Sequence, residues 1–259
     1  MSNPIFSSSS SNPFGLSNVG YLASDRLVDI DGDGDLDAFI SNWDGNTLFF
    51  RNTGTINNPV FAAPQTNPFG LIQVGNRANP SFVDIDGDGD QDVFVDSYDG
   101  IQFFRNTGTV KNPIFAVPQT DPFGLIGTDC EFVDIDSDGD FDAFADFMFY
   151  KNIGTAVNPN LAPPVKDTSG LGFSKPRFVD IDNDGDFDAF VGSGDFFGGG
   201  DLEFFRNIGS KIKPIFHRDG SKPFGLGAPG SYHKPSFADI DNDADIDVFI
   251  SNNNGDTYF

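Results

Sequence analysis

Five aspartates in nine residues, Asp84-Ile85-Asp86-Gly87-Asp88-Gly89-Asp90-Gln91-Asp92, place carboxylates at the first, third, fifth, seventh and ninth positions of one short segment. Anions at that spacing repel one another and call for a hard cation among their oxygens. Ca2+ takes about 6 to 8 oxygen ligands in flexible geometry. As in an EF-hand loop, positions 1, 3 and 5 would offer side chains, position 7 a backbone carbonyl, and the glycine at position 6 the sharp turn. Position 9 replaces the later glutamate. Mg2+ holds its waters too firmly to favour an all-protein cage, and an oxygen-only donor set excludes soft metals. An EF-hand loop is flanked by helices, whereas Phe82-Val83 and Val93-Phe94-Val95 on either side are strand-like.

The elements that must hold such a loop are themselves repeated. The acidic phrase begins at Val28, Val83, Val133, Val179 and Ala238. Each copy is followed by a segment like Leu48-Phe49-Phe50-Arg51-Asn52, then by one like Asn58-Pro59-Val60-Phe61, whose other copies include Asn3 to Phe6, and by Pro68-Phe69-Gly70-Leu71 or a relative of it. One unit reads as four short strands: A at Ser81 to Val83, B at Val93 to Val95, C at Gln102 to Phe104 and D at Pro113 to Ala116. Four strands in about 50 residues is the signature of a propeller blade. Continuous apolar runs such as Ala38-Phe39-Ile40 suit sheets covered on both faces. The chain begins before a D-type strand and stops after a C-type strand, Thr257 to Phe259, so its first strand completes the last blade and leaves no open edge. The expectation is an all-β, closed five-bladed propeller of four-stranded antiparallel blades, one domain over 1–259 with repeats at about 2–56, 57–110, 111–157, 158–212 and 213–259; an open solenoid or a piece of a larger array is the alternative.

Composition narrows the function. With 39 acidic against 15 basic residues and a net charge of -24, the chain lacks the electrostatic footprint of a nucleic-acid binder. A single cysteine, Cys130, excludes an intrachain disulfide and a Cys-rich zinc site. No apolar run approaches the roughly 20 residues of a membrane span, and Met1 to Pro13 has neither the basic nor the apolar part of a Sec-type signal peptide. Multi-carboxylate sites fill where Ca2+ is abundant, so the expected place is extracellular or the cell surface, reached by another route or by release from a longer chain. A monomer is expected.

The acidic phrase resembles the FG-GAP or VCBS repeat of the integrin alpha-subunit type of propeller, which carries D-x-D-x-D-G-x-x-D between the first two strands of a blade. The resemblance runs over nearly the whole chain in five tandem copies. It implies Ca2+ in the A-to-B loops, one per blade and up to five in all. The side-chain ligands it implies are Asp29, Asp31, Asp33 and Asp37; Asp84, Asp86, Asp88 and Asp92; Asp134, Asp136, Asp138 and Asp142; Asp180, Asp182, Asp184 and Asp188; and Asp239, Asp241, Asp243 and Asp247. Asp35, Asp90, Asp140, Asp186 and Asp245 would add backbone oxygen. Ala244 stands where the other loops have glycine; if that position needs a positive φ, the fifth site is the weakest. Integrin propellers have seven blades, so five is a departure and the family's partners do not transfer.

Recognition is expected on the other face, at the B-to-C tips. Trp43-Asp44, Tyr98-Asp99 and Phe147 stand there, with Phe196-Phe197 in the fourth blade. Aromatic rings beside carboxylates suit sugars, with their apolar C–H faces and hydroxyl rims; the alternative is that the rings plug the blade ends. The Pro-Phe-Gly-Leu phrases read as turns with the phenylalanine buried. His217, His233, Cys130, Glu131 and Glu203 show no catalytic partner in sequence. A non-catalytic carbohydrate-binding module is the first reading, a structural or adhesive module with a protein partner the second, and a polysaccharide-acting enzyme the third.

Overall fold

A computed structural model describes residues 4–6, 10–166, 169–171, 176–192, 202–221, 223–226 and 234–259. Blade one comprises β1 (Ser24–Val28), β2 (Asp37–Ser41), β3 (Thr47–Phe50) and β4 (Gln65–Thr66). Blade two has β5 (Asn79–Val83), β6 (Asp92–Ser97), β7 (Gly100–Phe104) and β8 (Gln119–Thr120). Blade three has β9 (Glu131–Val133), β10 (Asp142–Ala145), β11 (Met148–Tyr150) and β12 (Val165–Lys166). Blade four has β13 (Pro176–Val179), β14 (Asp188–Gly192), β15 (Leu202–Asn207) and β16 (Phe216–Ser221), and blade five β17 (Lys234–Ala238), β18 (Asp247–Ser251) and β19 (Thr257–Tyr258). Every pairing is antiparallel, and the first strands touch in cyclic order: β1 with β5, β5 with β9, β9 with β13, β13 with β17, and β17 with β1. The ring is closed and five-bladed.

Two strand expectations need correction. The laddered fourth strand of blade two is Gln119–Thr120, whereas Pro113 to Ala116 belongs to a tight corner whose bridge joins Asn106 to Phe115. The Asn106 side chain dictates this: its Oδ1 accepts the N–H groups of Gly108 and Ile114, both at 3.0 Å, and closes the corner. At the ring closure the N-terminal chain does supply the fourth strand of blade five, but through Ser10 to Asn12. Ser10 and Phe259 exchange N–H···O bonds of 2.9 and 3.1 Å, and Ser11 bridges to Tyr258. Asn3 lies outside the described residues. Phe6 instead donates its N–H to the Phe224 carbonyl, as Phe61 does to Phe14 and Phe115 to Phe69. The Asn-Pro-x-Phe and Pro-Phe-Gly phrases therefore recur together because each holds the other. In the latter the proline is buried and the phenylalanine half-buried at positive φ (56° at Phe14, 60° at Phe69), contrary to the expected buried ring.

Phenylalanine fills the spaces between blades. Phe39 of β2 lies 4.5 Å from Phe82 of the next blade, Phe94 4.4 Å from Phe132, Phe144 5.0 Å from Phe178, and Phe190 4.5 Å from Phe237, centroid to centroid. Tilted contacts at such spacing suit the quadrupoles of both rings. A β-strand alternates its faces, and these rings take the face of each second strand that meets the next blade, while the other face, as at Ala38 and Ile40, meets the preceding one.

The axis is polar. Residues on the inner strands and just before them meet there: Glu131 of blade three accepts from Arg26 of blade one at 3.2 Å and Arg177 of blade four at 3.0 Å. Asp129 pairs with Arg77 of blade two at 3.2 Å and Lys234 of blade five at 2.6 Å. Asn79 joins Ser24, Asp96 and Lys234. Burial, followed by repulsion from Arg177, pulls the Arg26 guanidinium down to about 10, and burial pulls the Lys234 ammonium down to about 8. These ions are retained at the cost of desolvation because their partners lie on other blades. Breaking such a cluster on one side strands buried charge. Glu131→Gln is expected to lower the unfolding free energy by about 3 kcal/mol in urea titration, since it leaves two guanidinium groups facing each other.

Candidate functional site

The five acidic phrases form five superimposable turns between the first and second strands of each blade. Position 2 anchors each turn in the core: Ile30, Ile85, Ile135, Ile181 and Ile240 are all buried. The carboxylate at position 1 then accepts the N–H groups of positions 5 and 6, as Asp29 does from Asp33 (3.2 Å) and Gly34 (3.0 Å), and position 5 accepts from position 7, as Asp33 does from Asp35 (3.1 Å). The same three bonds recur in every blade, Ala244 donating to Asp239 at 3.0 Å in the fifth. Position 6 has φ of 93° to 95° at Gly34, Gly89, Gly139 and Gly185, and 72° at Ala244. An alanine there carries a steric cost of about 1 kcal/mol. Position 4 is left-handed too, at Gly32, Gly87, Ser137, Asn183 and Asn242, a requirement the sequence reading missed although Gly and Asn are the residues that meet it.

These turns bring carboxylates together. One oxygen from each of Asp29, Asp31 and Asp33 lies within 4.8 Å of the other two, and likewise for Asp84, Asp86 and Asp88, for Asp134, Asp136 and Asp138, and for Asp180, Asp182 and Asp184. In blade five the trio is Asp239, Asp241 and Asp247. Position 9 sits at the start of the second strand, where Asp37, Asp92, Asp142 and Asp188 are buried and each accepts the backbone N–H of an asparagine that ends the third strand or follows it by two residues, at 2.6 to 2.7 Å.

The same atoms are left over in blade after blade. At position 3, Oδ1 of Asp31, Asp86, Asp136, Asp182 and Asp241 is buried without a hydrogen-bond partner. At position 9, Oδ2 of Asp37, Asp92, Asp142 and Asp188 is in the same state, as is Oδ1 of Asp35, Asp90 and Asp140 at position 7. A buried acceptor without a donor costs about 1 to 3 kcal/mol, and more when ionised. An oxygen-seeking cation is what would satisfy such a set, so the residues present fit a hard divalent ion. Three of the turns are also sheltered by the neighbouring blade: any side chain at Gly32 would strike Val110 of the second blade's corner, Gly87 is in the same position beneath Val157, and Asn57 donates to the Asp241 carbonyl at 2.9 Å.

On the opposite face the B-to-C tips place Trp43 between two other rings. Tyr21 lies 5.9 Å and Tyr98 5.7 Å from it, both edge-on, and the Arg77 guanidinium stands 5.8 Å over Tyr98. Tyr21 and Tyr98 are 54% and 51% exposed, and Asp44 and Asp99 are exposed beside them. Tyr21 and Arg77 were not legible as site residues, because they come from the connectors before blades one and two. Phe147 is exposed at the tip of blade three, while Phe196 and Phe197 lie outside the described residues. Of the groups considered for catalysis, Glu203 is held by Arg218 at 2.7 and 2.9 Å, Glu131 belongs to the axis, and burial pushes the Cys130 thiol well up. His217 is exposed on β16, and His233 lies outside the described residues.

Residues 29–95 and 84–145 match the family model described as an FG-GAP-like repeat. Over residues 29–145 the propeller is built of FG-GAP-like repeats. Among solved structures, a lectin of Agrocybe aegerita described as recognising non-reducing terminal N-acetylglucosamine is 18% identical, with a TM-score of 0.46 over 94% of this chain and 70% of that one. The Photorhabdus luminescens Tc holotoxin pore is 12% identical, with a TM-score of 0.41 over 99% of this chain and 15% of that one. No curated protein matches the sequence.

The electrostatics of the FG-GAP-like turns follow from the crowding. Burial, opposed by the asparagine N–H and reinforced by neighbouring carboxylates, pushes Asp92 up to about 7; Asp37, Asp142 and Asp188 reach the same value, with nearby Arg or Lys offsetting part of the push. Asp247 rises to about 6 for like reasons. A carboxyl group whose folded value is raised contributes stability while it stays protonated and loses it as pH climbs through that value. With chelator present, the melting temperature is therefore expected to fall steadily from pH 5 to pH 8. A melting temperature that holds level or rises across that window, followed by circular dichroism, would contradict this account of the turns.

Proposed function

We propose that the protein is a non-catalytic recognition propeller whose A-to-B turns hold structural Ca2+ and whose opposite face binds carbohydrate. The observation that carries the calcium reading is the recurrence of one buried, partnerless carboxylate oxygen at position 3 of all five turns. Asp29, Asp31, Asp33 and Asp37, with their counterparts in the other blades, would hold the ion. The ion would supply the positive charge that these oxygens lack, and the blade would contribute the backbone N–H bonds that keep positions 1 and 5 in place. Strain at Ala244 weakens the fifth site. Sites of this kind fill at the Ca2+ levels found outside cells, which favours an extracellular or cell-surface setting.

The carbohydrate reading rests on the half-buried Trp43 between the exposed rings of Tyr21 and Tyr98, flanked by Asp44 and Asp99. Rings give a sugar its apolar contact and the carboxylates accept from its hydroxyls. One observation favours a protein partner instead. Exposed β-branched residues recur at the C-to-D corners, as Ile56 and Val60, Val110 and Ile114, Ile153 and Val157, and Ile208 and Ile212, forming a broken apolar rim at the metal-loop end. Such a rim is the kind of surface that proteins cover.

Ca2+ at a hundred times the dissociation constant of a single site would add about 2.7 kcal/mol. The melting temperature is expected to rise by at least about 5 °C over the chelated protein, and Mg2+ should not reproduce the rise; equal melting curves would end the calcium reading. In a glycan screen of the Ca2+-loaded protein, Trp43→Ala and Tyr98→Ala should each abolish binding without lowering the melting temperature. A parent protein that retains no glycan would sink the carbohydrate reading and turn attention to the apolar rim.

A further inference from the structure

Four of the five turns share a contact that metal coordination alone does not call for. The residue just after strand C, or the last but one of that strand in blade four, sends a cation back to the position-3 carboxylate of its own blade: Arg51 to Asp31, Arg105 to Asp86, Lys151 to Asp136 and Arg206 to Asp182. Lys151 also reaches Asp138 at 3.0 Å. In every pair the cation takes Oδ2, and Oδ1 of the same carboxylate is the buried oxygen without a partner. The next residue, Asn52, Asn106, Asn152 or Asn207, gives its N–H to position 9. A basic residue and an asparagine side by side thus address two carboxylates of one turn.

We propose that Arg51, Arg105, Lys151 and Arg206 are tethered counter-cations of the metal loops. Each cancels one negative charge through the outer oxygen of position 3, stabilising the turn when Ca2+ is scarce and lowering its affinity for the ion. The proposal deepens the calcium reading and rests on it. Two roles compete for such a residue. A partner outside the coordination shell can orient a ligand and strengthen binding, or it can reduce the charge count on which Ca2+ affinity depends. The turn leaves little to orient, because the backbone bonds at positions 1, 5 and 9 already define its shape. The occurrence of lysine in blade three points the same way: a forked, bidentate orienting contact would demand arginine, whereas a point charge tolerates either. In the fifth turn no cation reaches Asp241 among the described residues, and there the missing counter-charge opposes the strain at Ala244.

The test uses the full chain with Arg105→Met and Arg105→Lys, and Arg51→Met as an independent copy in another blade should the first fail to fold. Calcium affinity is read by competition with a chromophoric chelator, and stability by thermal melting with and without Ca2+. Each methionine variant is expected to melt at a lower temperature in chelator, and to tighten one site about tenfold by removing a like charge beside the ion. Arg105→Lys should behave as the parent. Methionine variants that bind Ca2+ no more tightly than the parent overturn the counter-cation role, and a merely structural contact gives that result. A parent protein that takes up no Ca2+ overturns the calcium reading itself, so the two failures are told apart by which protein fails to bind.

Discussion

Carboxylate repulsion at the A-to-B turns is the force around which the ring is arranged. Five aspartates per turn, five times over, would drive an isolated segment into an extended, solvated state. Three donors answer them within the chain. Backbone N–H groups of positions 5, 6 and 7 bind inward to positions 1 and 5, the asparagine after strand C binds position 9, and in four blades an arginine or lysine binds position 3. What remains unanswered is one oxygen at position 3 of each turn, a second at position 9 in four of them and a third at position 7 in three. The remainder is specific in place and in chemistry, which is why it reads as a cation site and not as a general excess of acid.

The scarcity of positive charge sharpens the pattern. Only 15 lysines and arginines face 39 acids. Four of the basic residues serve the turns, four (Arg26, Arg77, Arg177 and Lys234) serve the axis, and Arg218 is tied to Glu203. At the axis, charges on one blade meet partners beyond its neighbours as well as on them: Asp129 and Glu131 of blade three reach blades one and five in addition to two and four. Aromatic stacking joins each blade only to the next. The axial ions are therefore the contacts that span the ring, and they depend on five blades being present in order.

The blade count, the antiparallel four-strand plan and the grouping of Asp29, Asp31 and Asp33 were legible because they follow from periodic phrases. The position of the fourth strand was not. Pro113 to Ala116 has strand-like composition, yet the Asn106 side chain captures two of the corner's N–H groups and shifts the ladder on to Gln119 and Thr120. Local side-chain capture of backbone donors has no periodicity to betray it. The left-handed phenylalanines of the Pro-Phe-Gly turns escaped for a related reason. Residues of that type avoid positive φ unless packing compels it, and the packing partner, as with Phe61 for Phe14, lies more than forty residues away. Tyr21 and Arg77 escaped because connectors between blades vary in length, so nothing marks which of their residues will fall beside Trp43.

The acidic turns and the aromatic tips lie at opposite ends of the same strands. Position 9 is the first residue of strand B: Asp37 opens β2 and Trp43 follows its end by two residues; Asp92 opens β6 and Tyr98 follows Ser97, its last. Between them the chain is a buried strand, zero to two per cent exposed from Ala38 to Ser41 and from Val93 to Ser97, rising about 3.3 Å per residue. A carboxylate that is fixed at one end of such a strand fixes the register and tilt of the tip at the other, with no lever or hinge between them. Ion binding at the turns would therefore act on the aromatic tips by holding their rings in one arrangement and not by moving them. A five-bladed ring filled with interlocking phenylalanines has few other arrangements to offer.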